Sequence, residues 1–260
     1  MVDLNLVKPI VFFDLETTGV SKNDDKIVQI ALIKIFPNGD IIEKCRLINP
    51  NTSIPLDATQ VHGITNEMVE NEPLFQHISK SLYGLFEDSD VGGFNSRNFD
   101  LPFLRNEFKR CGIEYNYLDH CDIDVFLFEK HLRRKLKLPY KLNEKISLAD
   151  LYFLYTNKKL EGAHDALNDV RGTIEVLNGQ LKKLRYTTEN LYDEIPNNGT
   201  YTNTDHNPRV IEDDGNYYWN FGKYIGKPID INYNYAKWFI TVENFPINER
   251  EIVKEKLKIL

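Results

Sequence analysis

The stretch Pro9 to Glu16 constrains the chain most: it reads PIVFFDLE, an apolar run closed by two acids and followed by Thr17-Thr18-Gly19. A run this short and this apolar predicts a buried strand. Side chains alternate across a strand, so Asp14 and Glu16 share one face while Leu15 takes the other. Two carboxylates side by side at the end of an apolar strand repel each other and lose hydration unless a cation or a proton intervenes. The competing reading is an acid pair at a wet strand edge, and the two-acid spacing alone does not choose between them.

The neighbouring segments supply partners for this strand. Lys26 to Phe36 is rich in Ile and Val, Pro37-Asn38-Gly39-Asp40 is a hairpin turn, and Ile41 to Ile48 returns antiparallel. Leu74, Ile78, Leu82 and Leu85 predict an amphipathic helix over 72–87. Asp90 to Asn95 reads as a short buried strand end and a loop, 101–110 as a helix, Tyr117 to Asp119 as another short strand, and much of 122–134 as a helix. Helices over 147–155 and 163–177 follow, the last stopped near Gly179. Strands first, then helices alternating with short strands, predict an α/β fold with a mixed sheet flanked by helices.

Composition narrows the function classes. The three cysteines, Cys45, Cys111 and Cys121, are odd in number and lack CxxC spacing, which disfavours a disulfide scaffold or a structural zinc site. No apolar run is long enough to span a bilayer, and the opening MVDLNLVKPI is too acidic and short for a signal peptide, so no membrane association and a cytoplasmic location are expected. A net charge of −7 disfavours a histone-like or duplex-coating protein. It does not disfavour an enzyme acting on nucleic acid, because bound divalent cations offset acidic ligands.

Two further segments carry chemistry. Gly93-Phe94-Asn95-Ser96-Arg97-Asn98-Phe99-Asp100 places an acid before an amphipathic helix, either as its N-cap or as a ligand beyond a second strand end. Gly162-Ala163-His164-Asp165-Ala166-Leu167-Asn168-Asp169 opens another helix with a histidine and two acids, of which Asp165 is also placed to complement the helix dipole.

In the order Asp14-x-Glu16, Asp100, then His164 with Asp169, the chain from about Lys8 to Gln180 closely resembles the DEDDh family of 3′–5′ exonucleases, relatives of the proofreading subunit of bacterial replicative polymerase. Thr17-Thr18-Gly19 and Val61-His62-Gly63-Ile64-Thr65 match supporting segments of that family. His164 stands five residues before Asp169, which indicates the histidine subclass. The resemblance implies a ribonuclease-H-like fold and metal-dependent 3′–5′ hydrolysis of DNA, at single-stranded ends, with release of nucleoside 5′-monophosphates. It implies two divalent ions, Mg²⁺ or Mn²⁺, held by Asp14, Glu16, Asp100 and Asp169, and a general-base role for His164. Asp14 would bridge both ions, Glu16 and Asp169 would complete the nucleophile-side site, and Asp100 would serve the other. Two ions about 3.5–4 Å apart suit phosphodiester hydrolysis, since one activates water and the other stabilises the departing oxygen. Leu15, Thr17, Thr18, Asn95 and Phe99 fall where the family meets the terminal nucleotide. Implied partners are nucleic acid and, through proofreading or DNA repair, a DNA polymerase or repair protein. An exoribonuclease is the rival activity; a non-catalytic nucleic-acid-binding or polymerase-tethering protein is the rival class, and it would lack an acid or the histidine.

The remaining residues read as grip or scaffold. Lys130, Arg133, Arg134, Lys135, Lys137, Lys141 and Lys145 form either a solvated face or a basic rim for a single strand. Residues 1–185 read as the exonuclease domain, 186–209 as a polar linker, and 210–260 as a small C-terminal module. The module (FGKYIGK, then YAKW) resembles that of exodeoxyribonuclease X-like proteins. Its eight basic and eight acidic residues from Arg209 onward cancel. Lys223, Lys227 and Trp238 are candidate strand-binding residues there, with Trp238 equally readable as the module's core.

Overall fold

A computed structural model describes residues 6–117, 120–136, 146–162, 165–184, 209–213, 216–219, 222–224, 227–242, 245 and 247–259. The chain divides into two compact units, residues 1–130 with 146–199, and 131–145 with 200–260.

The first unit is built on a mixed five-stranded sheet in the order β3-β2-β1-β4-β5. Strand β1 (Ile10–Thr17) is central; β2 (Ile27–Ile35) pairs with it antiparallel, and β3 (Ile41–Leu47) pairs antiparallel with β2. On its other side β4 (Asp90–Gly93) runs parallel to β1, and β5 (Asp122–Asp124) parallel to β4. The two-residue alternation sends Val11, Phe13 and Leu15 into one core, where they meet Ile30 and Leu32 of β2, α3 (Phe75–Phe86) and α4 (Asp100–Arg110). Edge-to-face rings dominate this core, with Phe13 against Phe86 at 5.2 Å and Phe108 against Tyr115 at 5.4 Å. Each such ring taken fully out of water contributes about 1.5–3 kcal/mol, with a further fraction from ring geometry.

The opposite face of β1 carries Ile10, Phe12, Asp14 and Glu16, and α7 (Ala166–Leu184) packs over β1 and β2, with α6 (Leu148–Thr156) beside it. Strand β4 ends in two glycines, and the first of them sits tight against β1: a Cβ on Gly92 would stand 2.5 Å from the Phe12 ring. Gly92→Ala is therefore expected to cost about 1–3 kcal/mol through overpacking. Urea denaturation checks it, and an unchanged midpoint would contradict the close approach.

Two sequence expectations are corrected and a third is borne out. The strand expected at Tyr117–Asp119 is found at Asp122–Asp124, and residues 118–119 lie outside the described residues. The helix expected over much of 122–134 is present as Val125–Lys135, the three residues before it pairing with β4. Helix α7 does not stop near Gly179 but runs through it to Leu184. That glycine permits close approach to α6, since a Cβ there would sit 2.5 Å from the Cβ of Tyr155. The short helices α1 (Leu56–His62) and α2 (Asn66–Val69) went unread in the sequence.

The second unit has its own core. A hairpin, Val210–Asp213 with Asn216–Trp219, packs with helices Tyr233–Thr241 and Ile247–Leu257 around Trp219, Ile229, Phe239 and Val253. Trp219 is fully buried, whereas Trp238 is 47% exposed, so Trp219 and not Trp238 fills this core. Most of the expected linker, and residues 137–145 of the basic stretch, lie outside the described residues.

Candidate active site

Asp14 and Glu16 leave β1 on one face, opposite Ala31 and Gln29 of β2. Beyond Phe12 the register with β4 ends, so the edge of β1 has no strand partner at Leu15. The Leu15 N–H instead donates to Asp100 Oδ1 at 3.0 Å. Asp100 is thus no N-cap. Phe99 holds the cap position and makes no side-chain cap, while Asp100 is the first residue of α4, with only 4% of its surface exposed.

On the other side, Asp165 Oδ1 accepts from the N–H of Leu167 and of Asn168, each at 3.1 Å. Asp165 is therefore the cap of α7, and Asp169, in the first turn, is the acid directed at β1. Removing such a cap costs about 1 kcal/mol, so Asp165→Ala should lower the thermal midpoint by a few degrees, which calorimetry would register. His164 and Ala163 lie outside the described residues.

The four acids feel one another. Burial raises the Asp14 carboxyl well above its ordinary range, and the charges of Asp100, Glu16 and Asp169 raise it further. Glu16 is pushed up to about 7 by burial and by Asp169. Burial also raises Asp100, with help from Asp124 and Glu16, against the lowering pull of the Leu15 N–H and its own. Among the described residues no three carboxylates, histidines or cysteines close on a point as they stand. The donor set, hard carboxylate oxygens without sulfur, suits Mg²⁺ or Mn²⁺.

The flanking candidates divide by role. Leu15 is 3% exposed and points into the opposite core, so its side chain cannot flank a nucleotide and its contribution is the main-chain N–H. Thr17 Oγ1 donates to the Gly19 carbonyl at 2.6 Å. Thr18 Oγ1 donates to Asp25 Oδ1 at 2.9 Å and accepts from the Lys26 N–H at 3.0 Å. Both hydroxyls thus shape the loop after β1. Asp25 folds so closely over Gly19 that a Cβ there would stand 2.5 Å from its Oδ2. Asn95 adopts a left-handed φ of 58°, and Phe99 packs on Phe103 at 4.9 Å. In the HGIT segment, His62 Nδ1 accepts from the Ile64 N–H at 3.0 Å. Burial lowers the His62 imidazole, with the Thr17 carbonyl pulling the other way. Lys223, Lys227 and Trp238 belong to the second unit.

Sequence reading missed Asp122, Asp124 and Arg97. Asp124 is buried and accepts main-chain N–H groups from Asn95 at 3.1 Å, Arg97 at 3.2 Å, and Phe126 and Leu127 at 3.1 Å each. It thereby ties the loop before Asp100 to the start of α5 (Val125–Lys135). The Arg97 guanidinium pairs with Asp122, also buried. The available signal was a second two-acid spacing, Asp122-Ile123-Asp124, ahead of an apolar helix start.

The Exonuclease (RNase_T) family model matches residues 11–177, a span that holds all four acids. The chain belongs to the Exonuclease family. Among its relatives are the 3′–5′ exonuclease DinG of Bacillus subtilis, 31% identical over 72% of this chain and 22% of DinG, and the PolC-type DNA polymerase III of Caldanaerobacter subterraneus, 30% identical over 67% of this chain and 12% of PolC. Exonuclease DPD1 of Arabidopsis thaliana is 31% identical over 65% of this chain and 54% of DPD1. The chain therefore spans between about an eighth and about half of these relatives' lengths. Among solved structures, E. coli exonuclease I in complex with a dT13 oligonucleotide superposes with a TM-score of 0.58 at 21% identity, covering 72% of this chain and 43% of that one. Exonuclease I of Methylocaldum szegediense gives 0.60 at 20%, with 72% and 43% covered. This Exonuclease-family domain thus has the ribonuclease-H-like α/β fold expected from its sequence. No helix among the described residues is long and apolar enough to cross a membrane.

Proposed function

We propose that the chain is a divalent-metal-dependent 3′–5′ exonuclease that removes nucleotides from single-stranded DNA ends as 5′-monophosphates. The observation that carries this reading is the Asp14 carboxyl, half-buried at the end of the central strand under the charges of Asp100, Glu16 and Asp169. A fold keeps such a costly cluster when a bound cation offsets it. Family membership and the relative named a 3′–5′ exonuclease support the polarity; the oligonucleotide in exonuclease I supports a single-stranded substrate.

When bound, two divalent cations supply water activation and charge stabilisation at the departing 3′-oxygen. Asp14, Glu16 and Asp169 would hold one ion, and Asp14 with Asp100 the other. The Leu15 N–H holds the Asp100 carboxylate beside the end of β1, where it would serve the second ion. Asp165 sets the first turn of α7 and so aims Asp169. His164, one residue before that cap, takes the proton of the attacking water, a task that suits an imidazole near neutrality. The relatives named DNA polymerase III make a polymerase the favoured protein partner.

The test is incubation of the purified chain with 3′- and 5′-labelled DNA and RNA strands, with Mg²⁺ or with a chelator. The expected result is Mg²⁺-dependent release of labelled mononucleotide from 3′-labelled DNA and stepwise shortening of 5′-labelled DNA. Preferential cutting of RNA would replace the DNA assignment with the exoribonuclease one, and internal cutting would overturn the exonuclease reading.

A further inference from the structure

The second unit carries a feature its own core does not require. Trp219 fills that core, while Trp238, on the helix Tyr233–Thr241, stays 47% exposed and Tyr233 48% exposed. Trp238 also belongs to a continuous run of rings. Tyr224 meets Tyr235 at 4.8 Å, Tyr235 meets Trp238 at 5.0 Å, and Trp238 meets Phe245 at 5.8 Å. Cations close both ends of the run. Lys223 Nζ stands 4.8 Å from the Tyr224 ring centre, and the Arg209 guanidinium 4.4 Å from that of Phe245. Lys237 lies over Tyr233 at 4.9 Å.

The helix Tyr233–Thr241 has Lys237 as its one charged residue, whereas the helix Ile247–Leu257 carries three acids, Glu249, Glu251 and Glu255, and three bases, Arg250, Lys254 and Lys256. Glu249 is buried and accepts the Arg209 N–H, so it is turned inward. The ring-bearing strip thus has basic residues, Lys223, Lys237 and Arg209, at its margins, in a module of zero net charge.

Exposed aromatic faces interleaved with lysine and arginine suit a polymer that alternates flat apolar rings with anionic links. We propose that this strip, Lys223–Tyr224–Tyr235–Trp238–Phe245–Arg209 with Tyr233 and Lys237 beside it, binds single-stranded DNA, bases stacking on Trp238 and Tyr233 and phosphates meeting Lys223, Lys237 and Arg209. The proposal deepens the nuclease reading above and rests on it. A duplex hides its base faces, so the strip selects unpaired strands whatever their sequence.

The experiment uses the full chain in chelator, so that binding is read without cleavage. Fluorescein-labelled dT20 is titrated with the wild type, Trp238→Ala, Trp238→Phe and the pair Lys223→Ala/Lys237→Ala, by anisotropy across a salt series. Loss of one stacked base is expected to weaken binding by about 5- to 150-fold in Trp238→Ala, with Trp238→Phe recovering part of it. The lysine pair is expected to flatten the plot of log K against log salt by about 0.7 per lost phosphate contact. Tryptophan emission supplies a local readout: dT20 should quench the wild type but not Trp238→Phe, whose remaining Trp219 is buried. Wild-type affinity in the Trp238 and lysine variants, or quenching that persists in Trp238→Phe, overturns the proposal. Failure of the nuclease reading shows separately, as wild-type protein that does not hydrolyse DNA in Mg²⁺.

Discussion

Asp14→Asn is expected to lower turnover of a DNA strand by at least about 10³-fold, since cation stabilisation of a phosphoryl transition state is worth several kcal/mol. The same substitution should raise the thermal midpoint of the metal-free protein at pH 8. It removes a carboxyl that ionises freely in the unfolded chain but in the folded one only against burial and the charges of Asp100, Glu16 and Asp169, and an amide occupies nearly the same volume. A sacrificed activity with a gained stability separates a functional acid from a structural one, because a structural acid would lose both. Single-turnover hydrolysis beside calorimetry in chelator makes the comparison. Near-normal turnover would remove Asp14 from the chemistry, and a lower midpoint would mean that its carboxylate supports the fold.

The metal-free protein should lose thermal stability between pH 5 and pH 8, and Mg²⁺ should return part of the loss. The Glu16 carboxyl, ordinarily at 4.5 and here at about 7, keeps a proton in the folded state that the unfolded chain has released. Its contribution is complete below about pH 4.5 and disappears as pH rises through 7. Asp14 and Asp100 are raised by burial and by neighbouring acids, and act with the same sign. A drop of about 5 °C across that range is the expected scale for a unit of this size. Asp122, pushed up to about 7 by burial against the pull of Arg97, adds to the slope. Because Asp122 is paired with Arg97, its share should persist when Mg²⁺ is added. Thermal midpoints at several pH values, with chelator and with Mg²⁺, provide the test; equal slopes in both would show that the ion does not bind at these acids.

The acids of β1 were readable in the sequence because strand alternation is rigid: once PIVFFDLE is a strand, Asp14 and Glu16 must share a face. The hairpin of β2 and β3 was readable from its turn residues for a similar reason. Asp100 and Asp165 were not separable from their alternatives, since an acid at a helix start serves a cap and a ligand equally well. A long-range contact to the Leu15 N–H on one, and a local capping contact to the α7 amides on the other, assign them opposite duties. Strand β5 is three residues long, too short for any periodicity, so Asp122 and Asp124 stayed hidden. Gly179 read as a helix stop because a glycine that ends a helix and one that admits a neighbouring tyrosine look alike in one dimension. The two tryptophans differ in depth for reasons that lie in how the hairpin meets the helices, and local sequence carries no trace of that.

The bond from the Leu15 amide to Asp100 has a consequence for how this position tolerates variation. Its side chain answers only to the core and its amide only to the acid, so the two demands fall on different atoms. A saturation library at codon 15 should accept other aliphatic residues, lose function gradually with mismatch in apolar size, and reject charged residues outright. Proline stands apart: it would satisfy the core in bulk yet leave Asp100 without its donor. Selection for activity would then show a single sharp gap among the apolar residues, the signature of a requirement written in the main chain.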